Sequence, residues 1–145
     1  MRIDRAAAAV LGLALLAGCG GGGAVASLQK VQCVNTAMLP PPPEMLYPMD
    51  NATGVPDGNF TLVLSEPYGN GVYLSGGSGA NISLATTTVP SPLPSPSATA
   101  PPSSTPAGYA VGALAAHTTY TMDALFTESA GCPDIPVYVG AFTTQ

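Results

Sequence analysis

The chain has 145 residues, enough for one domain and a tail. Only 8% of them are charged, the net charge is -5, and beyond Arg2 and Arg5 the sole Lys or Arg is Lys30. Without clustered cations to displace phosphate counterions or hold anionic headgroups, nucleic-acid partners and electrostatic membrane binding are excluded.

In chain order, the first element is a leader. Met1 to Arg5 carries two arginines, Ala6 to Ala17 is apolar, and Leu16-Ala17-Gly18-Cys19 closes the segment. The apolar run is shorter than the roughly 20 residues that span a bilayer, and it has the layout of a cleaved export signal. Its end resembles the bacterial lipobox. That resemblance implies cleavage after residue 18, a diacylglycerol on the Cys19 thiol, and acylation of the new amino group. Two or more acyl chains anchor a protein stably where one does not. The alternatives are an ordinary secretory signal cut near Ala24–Ala26 and a buried Ala/Leu helix. The lipoprotein reading puts the mature protein on the cell membrane or outer membrane, facing the periplasm or the exterior. Gly20 stands where an Asp would favour inner-membrane retention. Gly20 to Gly23 form a flexible tether.

Residues 19–43 are the lipidated cysteine, this tether and a lead-in ending in the proline run Pro40 to Pro43, where the main domain is expected to begin. With Cys19 lipidated, Cys33 and Cys132 remain, and export favours their pairing. Closing a loop of about 100 residues is worth up to roughly 4–5 kcal/mol in the chain-entropy picture. Free thiols, a metal site or a catalytic thiol are the alternatives. A metal site is disfavoured by the single His and the wide spacing.

From Tyr47 the pattern is β. Phe60 to Ser65 places Phe60, Leu62 and Leu64 on one face and Thr61, Val63 and Ser65 on the other. Val72 to Leu74 and Asn81 to Thr87 read as the next two strands, with turn signals at Asp57-Gly58, Pro67 to Gly71 and Gly76 to Gly79. Residues 89–107 are rich in Pro and Ser, and seven prolines fall between Val89 and Pro106. Proline cannot pair inside a sheet, so this insertion is expected as a long solvated excursion, a spacer more than a ligand segment. Tyr109 to Leu114, Thr119 to Thr127 and Val137 to Thr143 read as further strands, with a turn holding Cys132 before the last. About seven short strands with turn signals between them predict an all-β sandwich.

Three landmarks carry a family resemblance over about residues 44–145. They are Tyr47 to Pro56 followed by Phe60 to Pro67, then Leu114 to Thr121, then Ala141 to Thr144. Together they resemble bacterial Ig-like domains of the SbsA type. The proline-rich insertion departs from that pattern. The resemblance implies an Ig-like antiparallel β-sandwich that serves as a spacer or adhesion module, with no catalytic residues to carry over. Independently, Tyr120, six positions after Leu114, fits a tyrosine corner, a buried ring whose hydroxyl meets upstream backbone. Tyr120 and Leu114 are therefore assigned structural roles.

Hidden chemistry finds little support. His117 falls in a predicted turn, no Gly-x-Ser-x-Gly occurs, and Gly76 to Gly79 lacks the lysine of a phosphate loop. Glu44, Asp50, Asp57 and Glu66 do not have the spacing of a calcium loop, and they read as solvated acidic loops. The expectation is a non-enzymatic envelope lipoprotein without a cofactor. It is anchored through lipid and contacts envelope protein or polysaccharide. The alternatives are a carbohydrate- or calcium-dependent binding module, expected to show exposed aromatics or carboxylates grouped together, and a secreted hydrolase.

Overall fold

A computed structural model describes Cys33 and residues 39–77, 79–127 and 132–145. The leader, Cys19 and the glycine tether lie outside the described residues.

The described chain is all-β, with eight strands: β1 (Met45–Tyr47), β2 (Ala52–Val55), β3 (Phe60–Leu64), β4 (Gly71–Gly76), β5 (Ile82–Thr87), β6 (Ala107–Val111), β7 (Thr119–Phe126) and β8 (Ile135–Thr144). They form one mixed sheet, ordered β1-β3-β6-β5-β4-β7-β8-β2, that curls into a half-barrel. Every neighbouring pair is antiparallel except β8–β2, which is parallel. β5 joins the two halves: Ile82 to Leu84 pair with β4, and Ala85 to Thr87 pair with β6.

The main core follows from alternation. Leu62 and Leu64 on β3, Val72 and Leu74 on β4, and Tyr120, Met122 and Ala124 on β7 point to one side and are buried with Phe142 of β8. Phe142 anchors the packing. Its ring lies 5.9 Å from that of Tyr120 in a stacked arrangement and 5.9 Å edge-on from Phe60.

Three sequence expectations change. Among the described residues the strands number eight, because Met45–Tyr47 and Ala52–Val55 are strands too short to show a period. Leu114 falls after β6 has ended at Val111, half-buried against the core, with its N–H donating to Asp57 C=O at 2.7 Å. The third correction concerns residues 89–107, expected in solvent. Val89, Leu93, Ala98 and Ala100 pack on Leu46, Tyr47 and Val63 as a second small core. Leu46 and Val63 are 0% exposed. Val63 does face away from Leu62 and Leu64, as its alternation requires, but the face it lies on is covered by a strap of chain, not by water. The strap is hydrogen-bonded as well as packed, Ala98 N–H donating to Leu46 C=O at 2.9 Å. Prolines suit this role because an extended segment with few donors can lie across a sheet without joining its ladder.

Candidate functional site

The sequence-selected residues fall in separate places. Cys19 lies outside the described residues. Cys33 and Cys132 stand at disulfide distance, with Cα atoms 5.5 Å apart. Tyr120 is buried, and its hydroxyl accepts the Ala115 N–H at 2.9 Å. Ala115 C=O in turn accepts the Thr144 hydroxyl at 2.7 Å, so the turn before β7 is tied to the end of β8. The ring of Tyr120 needs Gly76 beside it: a Cβ there would stand 2.7 Å from Tyr120 Cδ1 and 2.6 Å from Thr119 O. His117 is exposed in that turn with a left-handed φ of 52°, its backbone N–H donating to Gln145 C=O.

The four carboxylates singled out above are not gathered. Among the described residues no three His, Cys, Asp or Glu side chains come together as metal ligands. Asp50 serves the fold, since its Oδ1 accepts the Ala141 N–H at 2.9 Å and its Oδ2 accepts from the Asn51 side-chain amide. A cleft of about 400 Å³ includes Glu44 and Asp50, but the Asp50 oxygens are engaged in this way.

What the structure does bring together is a row on the outward face of β4, β5, β7 and β8. Tyr73 is opposite Ser83 on one side and Asp123 on the other, and Asp123 is opposite Tyr138. Tyr73 and Asp123 point outward because their chain neighbours Val72, Leu74, Met122 and Ala124 fill the core. Tyr138 requires a further device. Phe142 and Gly140 face inward, so strict alternation would bury residue 138 as well. A bulge intervenes: Met122 pairs with Gly140 while Asp123 pairs with Tyr138, so Val139 is the extra residue. Val139 is buried and Tyr138 is turned outward, 53% exposed, the one large hydrophobic side chain so exposed among the described residues. Tyr73 and Tyr138 are two strands apart, about 10 Å at normal strand spacing.

The row has its own electrostatics. Partial burial on the sheet raises the Asp123 carboxyl above its ordinary value. The Tyr73 hydroxyl is raised as well, first by burial and then by the negative charge of Asp123. Next to Tyr73 is an open depression of about 290 Å³ lined by Gly71, Tyr73, Asn81, Ser83 and Leu125. Gly71, opposite Leu125, puts no side chain into it, and a Cβ there would have only Leu125 Cδ1 near it, at 3.9 Å. Its volume is at the small end for a ligand site, with one aromatic wall and a few polar groups. Sequence reasoning did not select this row. Alternation alone could have directed Tyr73 and Asp123 outward, whereas Tyr138 depended on the unseen bulge.

No protein-family profile matches the chain, and no curated protein matches it in sequence.

Proposed function

We propose that the protein is a lipid-anchored component of the bacterial cell envelope that displays an Ig-like β-sandwich as a non-catalytic interaction module. The observation that carries this reading is the strand order. The reading takes β1-β3-β6-β5 and β4-β7-β8-β2 as the two halves of such a sandwich, with β5 passing between them and β2 running parallel beside β8. The Tyr120 hydroxyl on Ala115 N–H supports it, because a tyrosine corner ties its ring to upstream backbone in this way. The lipobox at Leu16 to Cys19 supports the anchor, and the glycine tether after it would hold a folded body clear of the headgroups. In this reading the outward face of β4, β5, β7 and β8 is the contact surface.

The test is metabolic labelling with a fatty-acid analogue in cells producing the wild-type chain or Cys19→Ala. Wild type takes up label and sediments with membranes, and the variant does neither. Equal labelling of both, or an unlabelled wild type, contradicts the proposal.

A further inference from the structure

We infer that the row Ser83–Tyr73–Asp123–Tyr138, with the depression beside Tyr73, binds a neutral polysaccharide. The inference rests on the display reading and gives its contact surface a ligand class.

Charge narrows the choice first. From residue 31 onward the chain contains no Lys or Arg, and Asp123 sits at the centre of the row. A phosphate, a sulfated chain or an acidic peptide would meet a carboxylate with no cation to offset it. The ligand is therefore neutral or cationic. Shape separates those two. A cation is held best where ring faces converge on it, and its attraction is to the face of the ring. Tyr73 and Tyr138 instead stand side by side on one face of a sheet, two strands apart, with the carboxylate between them. That layout suits a chain of flat rings laid across the strands, with Tyr73 and Tyr138 meeting rings that are not adjacent in the chain.

The chemistry of a sugar ring answers the remaining groups. Its C–H face packs on an aromatic ring, and its hydroxyls donate and accept around the rim. Asp123 as carboxylate only accepts, so it accepts a hydrogen bond from a sugar hydroxyl, while Asn81 and Ser83 can both donate and accept at the wall of the depression. Gly71 opens room for one ring against Tyr73, and Tyr138, two strand spacings from Tyr73, meets a ring further along the same chain. The tyrosine hydroxyls remain available as further partners at the edge of each ring.

The experiment is retention of the full-length, detergent-solubilised protein on cellulose, chitin and an immobilised β-1,3-glucan, with a lysine-rich peptide resin as the competing ligand. At least one neutral polysaccharide retains wild type, and added salt leaves that retention unchanged. Tyr73→Ala and Tyr138→Ala each weaken it about tenfold, and Tyr73→Phe and Tyr138→Phe, which keep the ring, restore most of it. Thr99→Ala on the strap has no effect. Far-ultraviolet spectra matching wild type show that each variant is folded. Retention on none of the polysaccharides overturns the inference. So does retention that survives both alanine substitutions, or preferential, salt-sensitive binding to the lysine-rich resin that Asp123→Asn abolishes. Any of these with fatty-acid labelling intact at Cys19 leaves the display reading standing, whereas loss of labelling overturns that reading alone.

Discussion

Asp123 is a carboxyl held half-buried on an otherwise uncharged sheet face, and that has a consequence for pH. Burial raises its proton affinity in the folded chain above that of the unfolded chain. Between the ordinary carboxylate value and the raised one, the folded state holds more protons than the unfolded state. Stability from this group is thus fully present at low pH and is lost as pH rises through the folded value. Asp123→Asn removes that loss. In thermal melts at about pH 3 and about pH 7, bracketing ordinary carboxylate titration, the variant's advantage over wild type should be larger at the higher pH. An advantage that shrinks with rising pH would mean that Asp123 is held by a favourable partner instead. Tyr120 shows the opposite design, a buried polar group fully answered by Ala115 N–H. Its position was legible in the sequence because Tyr120, Met122 and Ala124 alternate without interruption. Tyr138 was not, because one bulged residue reverses the parity of its strand.

At the scale of elements, strands with an uninterrupted period of two could be read directly. Phe60 to Leu64 and Thr119 to Phe126 are the clearest, and their observed ends differ from the expected ones by one residue. The short β1 and β2 left no such signal, and the strap was misjudged for a definite reason. Composition says that a Pro/Ser-rich segment cannot enter a ladder, but it does not say whether the segment can lie over one. The hint was Val63, an apolar residue on the face opposite Phe60, Leu62 and Leu64. With Leu46 and Val63 both fully enclosed, the strap closes a core of its own. Leu46→Ala should cost about 2–4 kcal/mol in urea denaturation, as expected when a large aliphatic side chain is removed from a closed site. A loss below about 0.5 kcal/mol, the range of ordinary surface substitutions, would return the strap to solvent.

At the scale of the whole molecule, long-range ties brace the described body. The Cys33–Cys132 pair joins points 99 residues apart, and Tyr68 donates to Pro40 C=O at 2.8 Å, so the packed region already includes part of the proline run. A long closed loop restricts the unfolded chain more than a short one, which suits a small body with few charges. The overall β character was legible from periodicity. The outward row Ser83–Tyr73–Asp123–Tyr138 was not, because it is assembled from four strands whose side-by-side order no local pattern states. Attachment of this body to lipid at Cys19 is tested most directly by the intact mass of the protein extracted from membranes. We predict a chain beginning at Cys19 with a diacylglycerol and an added acyl group. A mature chain that begins elsewhere, or that begins at Cys19 without lipid, would contradict the account.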